Sequence, residues 1–122
     1  MNHNSHLLGK EGEEMARTHL AAKGYRILHS NWRFKRFEVD IIAEHESTIV
    51  FVEVKMRKND DFGEPEVFVT RKKQGFLVSA ANHYIREKEI EKEARFDIIS
   101  LLKAGDGWRI NHIESAFYPR VR

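Results

Sequence analysis

Residues 39–56 read Val39-Asp40-Ile41-Ile42-Ala43-Glu44-His45-Glu46-Ser47-Thr48-Ile49-Val50-Phe51-Val52-Glu53-Val54-Lys55-Met56. Two apolar, β-branched stretches, the composition of interior strands, are joined by a short polar link. His45-Glu46-Ser47 suits an antiparallel hairpin between them. Three charges interrupt the apolar runs: Asp40 in the first, Glu53 and Lys55 in the second. The period of a strand puts Glu53 and Lys55 on one face. In the first strand, alternation predicts Glu38, Asp40 and Ile42 on one face and Val39, Ile41 and Ala43 on the other. Burying an unpaired charge costs roughly several kcal/mol. These charges need a partner, and a hard divalent cation is the natural one.

Outward from the hairpin, the chain reads as one domain spanning residues 1–122. A helix is expected over Leu7 to Lys23, stopped by Gly24, with Gly9, Gly12, Ala16 and Leu20 as its core-facing stripe. Glu13 shares the side of Ala16 and Leu20, so its carboxylate can reach a buried site. Strands are expected over Tyr25 to Phe34, Phe37 to Glu44 and Thr48 to Arg57, then a loop over 58–66. Thr70 can cap a helix running to about Lys88, whose Phe76, Leu77, Ala80, Ala81, Tyr84 and Ile85 recur with helical spacing. Strands over Arg95 to Lys103 and Trp108 to Ile113 complete an αβββαβ order with one further strand. That order implies an α/β fold with a mixed sheet and helices packed on it.

Apolar residues make up 41% of the chain and charged residues 33%, an ordinary balance for a soluble domain. No apolar run approaches the roughly 18 residues that span a bilayer, and the first residues lack a signal-peptide pattern. With no cysteine there is no disulfide or thiolate site, and a cytoplasmic location is the default expectation. The net charge of +2 excludes a polybasic binder by bulk charge, so position matters more. Cations gather at Arg33, Lys35 and Arg36, at Arg57 and Lys58, at Arg71, Lys72 and Lys73, and at Arg120 and Arg122. Trp32, Phe34 and Phe37 interleave with the first group, a pattern that stacks bases while pairing phosphates, or packs inward beside solvated cations. Lys73 and Gln74 are candidates for the edge of the site.

If the hairpin faces coincide, Asp40 and Glu53 converge with Lys55 beside them, and the Val54 carbonyl offers one more oxygen. Carboxylates with open water positions are what Mg²⁺ or Mn²⁺ prefers. Such a metal serves phosphodiester hydrolysis, with Lys55 orienting or deprotonating the attacking water. A structural ion pair between Lys55 and either acid is the competing reading. Other chemistries lack their motifs. There is no H-E-x-x-H, no G-x-S-x-G and no P-loop. His19, His83 and His112 read as core-edge or surface residues, and Arg95 with Asp97 as a structural ion pair.

The succession Gly9-x-x-Gly12-Glu13-x-x-Ala16, Gly24-Tyr25, Asn31-Trp32-Arg33, Glu38-Val39-Asp40-Ile41-Ile42 and Phe51-Val52-Glu53-Val54-Lys55-x-Arg57 resembles the YraN-like family of small bacterial proteins. The resemblance continues through Phe62-Gly63-x-Pro65, Lys73, Ala80-Ala81, Arg95-Phe96-Asp97 and Ala116-Phe117. That family is similar to the PD-(D/E)-x-K nucleases, which include restriction endonucleases and archaeal Holliday-junction resolvases. The resemblance implies a restriction-endonuclease-like core with Asp40, Glu53 and Lys55 as motif residues, Glu13 as the added helix acid, and Mg²⁺ or Mn²⁺ as cofactor. It also implies a DNA partner, branched or junction DNA included; cutting both strands would suggest a homodimer. Two positions depart from the pattern: Phe37 where many relatives carry Gly, and Met56 where Thr is usual. The alternative function is a non-catalytic module on the same scaffold that binds nucleic acid or a protein partner.

Overall fold

The computed structural model describes residues 2–57 and 69–119, with side chains from residue 9 onward. The loop expected over 58–66, and with it Lys58, Arg120 and Arg122, lies outside the described residues. Seven elements follow one another: α1 (Asn2–Ala22), β1 (Arg26–Phe34), β2 (Phe37–His45), β3 (Thr48–Arg57), α2 (Arg71–Glu87), β4 (Glu93–Ala104) and β5 (Gly107–Phe117). The strands lie in chain order in a single sheet. All neighbours are antiparallel except β3 and β4. A parallel pair needs a long crossover, and α2 lies within it. This mixed sheet with two helices is consistent with the expected restriction-endonuclease-like αβββαβ arrangement.

Most boundaries fall within two residues of expectation. Helix α1 ends where the Tyr25 amide donates to the Leu20 carbonyl and the Gly24 amide to that of Ala21, each at 3.0 Å. Gly24 takes φ +91°, the left-handed conformation such a stop requires. Thr70 caps α2 as predicted, its hydroxyl accepting from the Lys73 amide at 3.1 Å. The last strand runs four residues beyond the expected Ile113. It does so through a bulge at which Ser115 adopts φ 52°. Period-2 reading stops at such a bulge, because the alternation that carries the signal is broken there.

Each face of the sheet carries its own core. Leu77, Ala80, Ala81 and Tyr84 of α2 pack on Val39, Ile42, Phe51 and Phe96. Ala16 and Leu20 of α1 pack on Ile41, Ala43, Val50, Val52 and Ile99. Among the described residues one acid, Asp97, lies wholly inside. Asp97 accepts two bonds from Arg95 at 2.9 and 2.8 Å and one from the Ser115 amide at 3.0 Å. His112 lies 2.8 Å from its other side, itself almost fully buried. The predicted Arg95–Asp97 pair is thus part of a larger network, and the His112 side chain is enclosed in it at the edge of the core.

Helix α1 approaches β3 closely at Gly12. A Cβ there would stand 2.1 Å from the Met56 sulfur and 2.8 Å from its Cγ. Because those atoms end a flexible, half-buried side chain that can shift, Gly12→Ala should change stability by less than about 1 kcal/mol in urea denaturation, alanine's helix propensity offsetting the displaced Met56. The same substitution in a Met56→Ala background should be more favourable, and equal effects in both backgrounds would refute the contact.

Candidate metal centre

The site begins where a ladder ends. Pairing between β2 and β3 runs from His45–Thr48 to Ile41–Val52 and no further. Past that pair β3 continues beside β4, and β2 leads back beside β1. The strands therefore fork, and the Val54 amide loses the strand partner it would have had. Asp40 replaces it, its Oδ2 accepting the Val54 N–H at 2.8 Å. Amide and carbonyl of one strand residue turn the same way, so the Val54 carbonyl also faces the fork.

The alternation predicted for β2 does not hold through this point. Val39 joins Ile42 in the core beneath α2, while Ile41 and Ala43 join the core beneath α1. The pleat flips at Asp40. Across the sheet, Ser30 pairs with Ile41 and Trp32 with Val39, which sets Asn31 opposite Asp40. Asn31 adopts φ 53°, a left-handed conformation that asparagine tolerates better than most residues. Both strands thus break their pleat at one level. Asp40 is left pointing along the sheet into the fork, within electrostatic reach of residues on both sides of it.

Glu53 and Lys55 continue the α2-facing side of Phe51, as their spacing predicts. The Glu53 side chain is only 14% exposed, and its Oε2 lies 3.4 Å from the Lys73 ammonium. Its other oxygen, Oε1, is buried with no hydrogen-bond partner. Burial and the nearby Glu53 carboxylate push the Asp40 pKa up to about 7, against the Val54 hydrogen bond; Glu13 raises it further, and Lys73 opposes. Glu53 is also raised, by burial, while Lys73 and then Lys55 pull it down. Glu13 therefore stands near enough from α1 to repel Asp40. Among the described residues, however, no three His, Asp or Glu side chains gather into a group that could hold a metal ion. Asp40 and Glu53 form the centre, and Glu13 stands at its margin.

Two carboxylates and a backbone carbonyl fit a hard cation that keeps several waters, as Mg²⁺ does. Glu53 Oε1 is the observation that supports the fit, because a buried, unpartnered carboxylate oxygen is expensive. Ser100, which the sequence sets in an apolar segment with no G-x-S-x-G around it and so excludes as a nucleophile, lies beside the centre. It is buried, its hydroxyl has no partner, and it pairs in register with Lys55. Its signal was a polar residue inside Ile98-Ile99-Ser100-Leu101-Leu102, the same kind of interruption that marks Glu53.

The predicted cations border this centre unequally. Lys73 joins it, and Arg57 follows Lys55 two residues further along the same strand face. Arg33 lies 3.8 Å from Glu38. Lys35 and Arg36 sit exposed at the β1–β2 turn, with the Lys35 ammonium 5.3 Å above the Phe34 ring. Arg71 and Lys72 are exposed at the start of α2, and Lys72 lies 5.9 Å from the Phe76 ring. Phe37 and Phe76 stack at 4.6 Å, linking the base of that turn to α2. Gln74 turns back to the Val69 carbonyl at 2.9 Å.

A sequence profile for the uncharacterised protein family UPF0102 matches residues 12–101. The chain belongs to this family. A UPF0102 protein of Christiangramia forsetii is 47% identical over 111 residues, covering 91% of this chain and 93% of that protein. One from Flavobacterium johnsoniae is 47% identical over 115 residues, covering 91% and 94%. One from Phocaeicola vulgatus is 44% identical over 113 residues, covering 93% of each. The matched span contains Glu13, Asp40, Glu53, Lys55 and Lys73, so the family unit includes the whole centre. No helix among the described residues is long and apolar enough to cross a membrane.

The raised Asp40 pKa has a thermodynamic sign. In the folded protein Asp40 holds its proton up to about pH 7, whereas the unfolded chain releases it near the ordinary value of 3.8. Between those values the folded state binds the extra proton, so this group lowers stability as pH rises. Asp40→Asn keeps an oxygen for the Val54 amide and cannot ionise. Its stability relative to the unsubstituted protein should be near equal at pH 4 and clearly higher above pH 7, in urea melts across that range. A difference that does not change with pH would contradict a protonated Asp40.

Proposed function

We propose that the protein is a metal-dependent hydrolase of phosphodiester bonds in DNA, acting in the cytoplasm. The observation that carries this reading is the fork itself: two mutually repelling, buried carboxylates, one with an unpartnered oxygen, beside two lysines. Asp40 and Glu53 would hold Mg²⁺ or Mn²⁺, with the Val54 carbonyl alongside and Glu13 contributing through water. The bound metal supplies polarisation of the phosphate and a water of lowered pKa. Lys55 shares the strand face of Glu53 and orients or deprotonates the attacking water. Arg33, Lys35 and Arg36 on one side and Arg57, Arg71, Lys72 and Lys73 on the other hold the phosphate backbone. Branched or junction DNA is the substrate form suggested by likeness to the resolvases, and cutting both strands would use two copies of the chain.

A second reading is supported by the absence of a three-ligand cluster among the described residues. In it, the scaffold binds nucleic acid or a protein partner and cuts nothing. One experiment separates the two. Purified protein is incubated with linear, single-stranded and branched DNA, and with RNA, in Mg²⁺ or Mn²⁺, beside Asp40→Ala and Lys55→Ala. The hydrolase reading expects cleavage of DNA, reduced at least about 100-fold in either variant. Binding indifferent to metal, with every substrate left intact, would establish the second reading instead.

A further inference from the structure

Three cations open α2, where the helix dipole disfavours positive charge by about 0.3–1 kcal/mol each, and no acid offsets them in the first turn. Helix stability does not account for them. The three side chains also differ in what they meet. Arg71 is exposed, Lys72 lies over Phe76, and Lys73 reaches Glu53 at 3.4 Å. Lys73 is also the cation that most strongly favours the ionised form of Glu53, and it acts on Asp40 as well. Its side chain is 46% exposed, so it can leave without unpacking the core.

Resting on the hydrolase reading, we infer that Lys73 is a displaceable counter-cation. It occupies Glu53 in the metal-free protein and gives up that carboxylate when a divalent cation arrives. Its contact geometry suits exchange. Lys73 engages Oε2 from the solvent side and leaves the buried Oε1 unpartnered, so the pair satisfies only half of the carboxylate. A divalent ion between Asp40 and Glu53 would offset both acids, whereas Lys73 directly pairs one. Once displaced, the ammonium stands at the rim beside Arg71 and Lys72, on the side from which a polyanion would approach. A fixed structural ion pair would still repel the metal by its charge but would show no release of the ammonium when metal binds.

The test uses full-length, metal-free protein at pH 8. Mn²⁺ affinity is measured by calorimetry for the unsubstituted chain, Lys73→Gln and Lys73→Arg. Lysine labelling by an amine-reactive reagent, read by mass spectrometry, is compared with and without Mn²⁺. Removing a competing charge should tighten Mn²⁺ binding about tenfold in Lys73→Gln. Lys73→Arg, which keeps the charge, should stay within about threefold of the unsubstituted protein. Labelling of Lys73 should rise on adding Mn²⁺. If the unsubstituted protein binds Mn²⁺ but Lys73→Gln gains no affinity, or labelling does not rise, this inference fails while the hydrolase reading stands. If the unsubstituted protein binds no Mn²⁺, both fail together.

Discussion

Beyond the Ile41–Val52 pair the backbone of β3 loses its neighbour on one side, and a side chain must take over a ladder hydrogen bond. Asp40 does so, and the consequences spread from there. To reach the Val54 amide it must lie in the plane of the sheet, which breaks the pleat of β2 and sets Val39 and Ile41 on opposite faces. Once there, its carboxylate is shut away from most water and brought close to Glu53. A strand pair continued to its end would have spared that amide a side-chain acceptor, and there would be no fork.

The sheet contains a second acid at a second irregularity, and the contrast is instructive. Asp97 sits where the β4–β5 register shifts and also accepts a bond from a bulged backbone amide. Around it stand a bidentate Arg95 and the ring of His112, and these bonds lower its pKa despite burial. Asp40 has one backbone donor and two acidic neighbours, and its pKa rises. Both carboxylates repair a broken ladder. Arg95 and His112 match the Asp97 charge directly, whereas Asp40 has only the more distant Lys73 against two acids.

Much of this was legible in the sequence because the signals were local. The hairpin, the helices and the element order followed from periodicity and from punctuation such as Gly24 and Thr70. Charges inside β-branched runs singled out Asp40 and Glu53, since burial makes such placements costly whatever the fold. What escaped depended on geometry between strands. The pleat flip at Asp40 needs a left-handed Asn31 on the neighbouring strand, which no count along β2 could reveal. Ser115 extends β5 by the same kind of device. Of the two candidates named for the edge of the site, Lys73 reaches Glu53 while Gln74 turns back to the Val69 carbonyl, a difference set by how α2 crosses the sheet.

The parallel pairing of β3 with β4 has a consequence for how the protein assembles. The hairpin that carries Asp40 and Glu53 is local and can close in about 1–10 μs. The β3–β4 contacts, by contrast, must wait for the chain to pass through α2 and return. Until then both acids remain hydrated and repel each other weakly. Only when that crossover has closed is the sheet complete on both sides of β3. Repulsion that arises late acts mainly on the rate of unfolding.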